Sequence, residues 1–168
     1  MRLPVYGYIV WGDGVYICCL LGNRDTPREV LPTLHFVLLD LIENKEVSLF
    51  YVGNQTVFDR MVQRELKMLE LEYPHIGYLI VLAYMPGQKN GEEDMDEYKT
   101  IYPDGIENTP PRYAIRKRNE WMIKRADYVV TYAGRTFGCT AQFQKLAKRK
   151  NKVVINLAER MASADGDR

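Results

Sequence analysis

The apolar residues of this 168-residue chain alternate between two spacings. Short runs that are almost wholly apolar are typical of strands covered on both faces of a parallel sheet, and residues recurring three and four positions apart are typical of amphipathic helices. We therefore predict that strands and helices alternate about five times, as in an α/β fold with a doubly wound, mostly parallel sheet. The predicted strands are residues 15–21, 48–52, 78–84, 128–133 and 153–157. The first predicted helix begins at Pro32, and the other predicted helices cover residues 58–73, 112–126 and 139–150.

The remaining segments lack these patterns. Two β-prone runs, 5–11 and 15–21, flank a Gly-Asp-Gly turn, which predicts a β-hairpin and thus an N-terminal arm over residues 1–14. An acidic stretch with prolines and glycines, 86–99, predicts a solvated loop. The polar end of the chain, 159–168, predicts a disordered tail. We therefore expect a single domain over residues 1–158.

The composition is that of an ordinary globular protein. With 46% hydrophobic and 27% charged residues, wholesale disorder is excluded. No apolar run approaches the roughly 20 residues that a membrane span needs, and the first residues lack the continuous apolar region of a signal peptide. The three cysteines are an odd number, which favours reduced thiols. These features predict a cytoplasmic protein.

A formal net charge of +1 argues against a global electrostatic attraction to nucleic acid. The sequence has one basic cluster, which lies at the end of the last predicted helix. Cations at such a helix end complement the helix dipole, so the cluster has an ordinary structural explanation. We expect a small phosphorylated ligand rather than a long polyanion. The cluster consists of Lys145, Lys148, Arg149, Lys150 and Lys152.

Three junctions between a predicted strand and the next helix combine glycine with polar residues, at 22–25 (GNRD), 53–56 (GNQT) and 134–140 (GRTFGCT). Glycine lets the backbone approach a ligand, and free N–H groups at a helix start favour anions. The carboxyl ends of parallel strands share one edge of the sheet, where such folds bind ligands. We expect an anion site there, although neither a Walker A loop nor a G-x-G-x-x-G motif is present.

A fourth segment, 110–122, brings several guanidinium groups to one predicted helix start, which suits phosphate or carboxylate. For Arg116, a solvated helix face is the favoured interpretation. For Arg118 and Asn119, beside apolar residues, ligand contact and a structural role both stay open.

Few groups are candidates for catalysis. Asp25, Asp59 and Glu120 could act as acid–base groups, although an aspartate in a helix's first turn is also what the helix dipole favours. The two histidines lack cysteines at ligand spacing, so we expect no metal site. For Cys139, at a helix start, we favour a packed or ligand-adjacent thiol over a nucleophile.

Five blocks, in their order and spacing, resemble one protein family over roughly residues 15–158. The family is the YpsA-like branch of the SLOG superfamily, which is related to the lonely-guy phosphoribohydrolases and to Smf/DprA proteins. The resemblance implies a Rossmann-like fold. The blocks are 19–25 (CLLGNRD), 50–59 (FYVGNQTVFD), 111–122 (PRYAIRKRNEWM), 126–130 (ADYVV) and 137–140 (FGCT).

The resemblance also implies a pocket for a nucleotide or nucleotide-derived ligand, such as an NAD-derived or cyclic nucleotide signal. It implies relatives with roles in antiviral defence and a homodimer or higher homo-oligomer. With the three glycine junctions and with Arg24 and Arg118 available for phosphate, we expect a sensor or sequestering protein that needs no cofactor. The indicated ligand-binding residues are Gly22, Asn23, Arg24, Gly53, Asn54, Phe58, Asp59, Arg112, Arg118, Asn119, Gly138, Cys139 and Thr140.

One departure from the lonely-guy pattern concerns catalysis. Those enzymes carry a Pro-Gly-Gly-x-Gly-Thr-x-x-Glu run whose glutamate serves the reaction, whereas residues 136–143 here contain neither proline nor glutamate. Cleavage of an N-glycosidic bond passes through a cation-like transition state that a carboxylate stabilises. Binding without turnover is therefore favoured. The alternative is a phosphoribohydrolase or deoxyribosyltransferase that uses Asp59 or Glu120.

Overall fold

A computed structural model describes residues 14–85, 99–134 and 138–166. The first run of the predicted N-terminal hairpin and most of the predicted acidic loop lie outside these residues, whereas the second run of the hairpin is described. The strands are β1 (Tyr16–Leu21), β2 (Val47–Val52), β3 (Gly77–Val81), β4 (Thr100–Ile101), β5 (Tyr128–Thr131) and β6 (Val153–Asn156). The helices are α1 (Leu31–Glu43), α2 (Val57–Glu72), α3 (Pro111–Arg125), α4 (Cys139–Arg149) and α5 (Leu157–Asp165).

The six strands form one sheet in the order β4-β3-β2-β1-β5-β6, and every neighbouring pair is parallel. Helices cover both faces, with α1, α2 and α5 on one and α3 and α4 on the other. Successive side chains of a strand point to opposite faces, so Phe50 belongs to the first core and Tyr51 to the second. Burial on both faces explains the continuous apolar runs. The predicted doubly wound α/β fold is confirmed.

The strand order reverses at β1, which pairs with β2 on one side and with β5 on the other. Asp127 secures the start of β1, because its Oδ2 accepts a hydrogen bond from Ile17 N at 2.9 Å. Asp127 N in turn donates to Ile17 O at 2.8 Å. Open α/β sheets bind ligands outside the carboxyl ends of the strands at such a reversal. The loops after β1 and β5 therefore border the expected site.

The C-terminal segment corrects the prediction of a disordered tail over residues 159–168, because α5 occupies most of it. Asn156 caps this helix, with Oδ1 accepting from Ala158 N at 3.1 Å. Leu157 is fully buried, and Met161 packs against the same core. A short polar segment becomes helical here because it is capped and docked. None of the described helices is long and apolar enough to cross a membrane.

Candidate functional site

A cleft of about 1050 Å³ opens beyond the carboxyl end of β1. Its walls are the loop after β1, the start of α2, and the facing sides of α3 and α4. This volume is at the upper end of the range for small-molecule sites. Most of the predicted ligand-binding residues line it, together with the candidate Glu120. They are Gly22, Asn23, Arg24, Asp59, Arg112, Arg118, Asn119, Cys139 and Thr140.

Phe58 was expected to contact ligand, but the structure places it in the core. It is fully buried on the face of α2 that also carries Val62 and Leu66. A methyl group on Gly22 would lie 2.2 Å from Cγ of Phe58, so the missing side chain at residue 22 makes room for this ring. Gly22 therefore has a packing role besides its place at the cleft.

Gly53, Asn54 and Gly138 also lie outside the cleft lining. Asn54 is buried, and its Oδ1 accepts a hydrogen bond from Gln55 Nε2 at 3.1 Å. Gly138 precedes α4 with a φ of 109°, a backbone conformation that favours glycine. The neighbouring Arg135, which the sequence places in the same junction, is outside the described residues.

Arg118 is the most unusual residue of the site. It is only 3% exposed, and its Nε donates to Asn119 Oδ1 at 3.0 Å. Its Nη1 is buried and has no hydrogen-bond partner among the described residues. Burial lowers the pKa of Arg118, and the nearby Asp59 carboxylate opposes that shift. Because an arginine stays protonated in proteins, the cleft contains a buried cation with unused hydrogen-bonding capacity.

Gly53 lies directly beneath this guanidinium. A methyl group there would lie 2.8 Å from Arg118 Nη1 and 2.9 Å from Asp59 Oδ2. Only a residue without a side chain therefore lets both groups approach the end of β2 so closely. Gly53 does not line the cleft, but it leaves the room that these two side chains need.

Asp59 completes a capping box at the start of α2. Its Oδ2 accepts hydrogen bonds from the backbone N of Gln55 at 2.8 Å and of Thr56 at 3.0 Å. Thr56 Oγ1 in return accepts from Asp59 N at 3.1 Å. Asp59 therefore stabilises the start of α2, as its place in the first helical turn suggested. The residue also lines the cleft.

A hydrogen bond crosses the point at which the strand order reverses. Thr140 Oγ1, in the first turn of α4, donates to Asn23 Oδ1 in the loop after β1. That loop is also held by Thr26, whose Oγ1 donates to Asn23 O at 2.8 Å. Two of the three glycine junctions are therefore in direct contact.

Among the described residues, positive charge exceeds negative charge around the cleft, since seven Lys or Arg residues and two carboxylates line it. Arg116 and Glu120 form an exposed ion pair of 2.8 Å, which raises the pKa of Arg116. The sequence did not identify the contribution of α4, from which Lys145, Lys148 and Arg149 line the cleft. Their spacing on one helix face was the available signal.

The thiols differ in their surroundings. Burial raises the pKa of Cys19 to about 12 and also raises the pKa of Cys18, whereas Cys139 is exposed at the cleft. Within the described ranges, no three His, Cys, Asp or Glu side chains come together as a metal ion would require.

No protein-family model matches the chain, and a comparison with curated proteins finds no match.

Proposed function

We propose that the protein binds a nucleotide or nucleotide-derived small molecule in this cleft, as a sensor or sequestering protein, without turning it over. The observation that carries the proposal is Arg118, a buried cation whose Nη1 has no partner among the described residues. A phosphate oxygen supplies the acceptor that this group lacks, and charge-assisted hydrogen bonds of this kind are among the strongest. Desolvation strengthens the attraction further.

The cleft also offers surface to the uncharged part of such a ligand. Ile115 from α3 and Phe143 and Leu146 from α4 line it, as the walls of small-molecule sites commonly do. The resemblance to the YpsA-like branch of the SLOG superfamily supports a nucleotide over a simple anion. It also supports a homo-oligomer and a connection to antiviral defence, and the odd number of cysteines supports a cytoplasmic location.

Binding without turnover is supported by the bonding of the two candidate carboxylates. Asp59 Oδ2 holds the start of α2, and Glu120 is paired with Arg116. The second candidate, an enzyme that cleaves an N-glycosidic bond, is favoured by one observation. Asp59 lies at the cleft, and each hydrogen bond that its carboxylate accepts within the described structure goes to Oδ2, which leaves Oδ1 for a cation-like transition state.

Calorimetric titration with AMP, GMP, NAD, ADP-ribose and cyclic ADP-ribose tests the proposal. We expect at least one to bind, and Arg118→Met to weaken that binding by about tenfold or more. Arg160→Met, an exposed change on α5, is the matched control. If no compound binds more tightly than about 1 mM, which corresponds to only about 4 kcal/mol, the proposal is wrong.

Chromatography of the bound compound after long incubation separates the two candidates. Recovery of intact ligand supports binding alone. Release of free base by the wild type, abolished in Asp59→Asn, would establish the enzyme instead.

A further inference from the structure

The groove between α3 and α4 carries a second set of cations, which we call the outer cations: Lys145, Lys148 and Arg149. All three line the cleft from α4 and are exposed. Their spacing of i, i+3 and i+4 places them on one helix face. None of them forms an ion pair with another described residue, so their charge is available to a ligand.

Lys148 and Arg149 lie in the last turn of α4, whereas the Asn23–Thr140 hydrogen bond lies at the first turn of this helix. A helix rises about 1.5 Å per residue, so Lys148 is about 12 Å along α4 from Thr140. Arg118 is buried and hydrogen-bonded to Asn119, and its guanidinium lies beside Gly53 at the end of β2. A single phosphate, with charge-assisted hydrogen bonds of about 2.8 Å, does not span this separation.

Apolar side chains occupy the stretch of α4 between the two ends. Phe143 and Leu146 line the cleft there, and Ile115 faces it from α3. Along α4, Thr140 is thus followed by apolar surface with Lys145 beside it, and then by the exposed cations Lys148 and Arg149. This sequence of surfaces matches a ligand with an anionic group at each end of an uncharged middle.

We propose that the outer cations form a second anion subsite, and that the ligand is a small nucleotide with two separated phosphate-bearing ends. One end is the phosphate held by Arg118, and the other is a further phosphate on the opposite side of the ribose. The inference rests on the proposed function, because the inner end must take the first phosphate.

A small ligand is favoured over a polynucleotide because the basic cluster of the sequence is divided in the structure. Lys150 and Lys152 do not line the cleft, and Lys152 Nζ donates instead to Lys124 O at 3.2 Å. A continuous basic track along the surface, as a polynucleotide requires, is therefore interrupted beyond Arg149.

Two matched pairs of probes test the second subsite: AMP against adenosine 3′,5′-bisphosphate, and ADP-ribose against 2′-phospho-ADP-ribose. We expect the extra phosphate to tighten binding to the wild type by about tenfold or more in at least one pair. In Lys148→Ala/Arg149→Ala this gain is lost, while the affinity for AMP changes by less than about threefold at 0.15 M salt, where distant charges are screened. Lys150→Ala/Arg160→Ala removes the same charge outside the cleft and retains the gain.

Three results would overturn the inference. If AMP binds through Arg118 but the extra phosphate adds nothing in either pair, the second subsite is wrong and the proposed function stands. If a 5′-phosphorylated decaadenylate binds more tightly than both bisphosphate probes and depends on the same two residues, the groove takes a nucleic acid. If no probe binds, both proposals fail.

Discussion

The side chains of Arg118 and Asp59 both lie against Gly53, and they come from helices on opposite faces of the sheet. The guanidinium comes from α3 and the carboxylate from the first turn of α2, and a methyl group on Gly53 would meet both at less than 3 Å, at 2.8 Å and 2.9 Å. The carboxylate is held by backbone N–H groups, whereas Arg118 Nη1 has no partner among the described residues. The end of β2 therefore presents a fixed carboxylate beside a cation that retains hydrogen-bonding capacity.

Gly53→Ala is expected to weaken nucleotide binding by about tenfold or more, because the new methyl group displaces the Arg118 guanidinium. The free energy of unfolding should fall by about 1–3 kcal/mol, as for other insertions into a packed site. Titration calorimetry with the tightest-binding nucleotide and urea denaturation measure the two effects. Gly77→Ala is the matched control, since nothing lies within 4 Å of a side chain there. Unchanged nucleotide affinity in Gly53→Ala would contradict the role given to Arg118.

Arg118→Met is expected to separate stability from binding. Removing a buried cation without a partner at Nη1 favours the folded state, but the attraction to Asp59 is lost with it. We expect the free energy of unfolding to stay within about 1 kcal/mol of the wild type while nucleotide binding weakens by about tenfold or more. Urea denaturation without ligand checks this. A loss of more than about 2 kcal/mol would show that Arg118 mainly supports the fold.

Gly22→Ala is expected to destabilise the protein by about 1–3 kcal/mol or more, because its methyl group would lie 2.2 Å from Phe58 Cγ in a fully buried position. The loss of stability caused by Gly22→Ala should be smaller in a Phe58→Leu background, since the ring that obstructs the methyl group is absent. A double-mutant cycle in urea measures this coupling. Additive effects would mean that the two residues do not constrain each other.

The buried thiols predict a loss of stability in mild base. Burial raises the pKa values of Cys18 and Cys19 in the folded state, so the unfolded chain releases these protons first as pH rises. The free energy of unfolding should therefore fall between about pH 9 and pH 10, by up to about 1.4 kcal/mol per pH unit for each thiol. Urea denaturation across that range should show a flatter dependence in Cys18→Ala/Cys19→Ala. Cys139→Ala, at an exposed thiol, should retain the wild-type slope.

The alternation of elements was predictable because the central strands β1, β2, β3 and β5 are largely buried on both faces and the helices on one, and both conditions leave a pattern in the sequence. The order of the strands was not, since no local pattern shows that β1 pairs with β5. The helix α5 was missed although Asn156 and Leu157 form a cap followed by an apolar residue. Its short apolar face becomes visible only when the core that it covers is known.

The site was predictable where it depends on strand ends, as for Asn23 and Thr140. Phe58 was assigned to the ligand because of the family resemblance, yet its spacing with Val62 and Leu66 was a signal for the core. The cations of α4 were placed at a helix end in the sequence, and only the packing of α3 beside α4 shows that Lys148 faces the cleft. Helix–helix packing is a tertiary property that one sequence does not display.

The central position of β1 has a consequence for the order in which the chain assembles. Ile17 and Asp127, whose hydrogen bond joins β1 to the start of β5, are separated by 110 positions, so one edge of β1 stays open until most of the chain has been synthesised. An open apolar edge invites mispairing, and long-range pairing is slow. The proposed nucleotide ligand would not protect this edge, because the cleft needs α4 as well. Ligand should therefore slow unfolding of the finished protein while leaving the rate of folding unchanged.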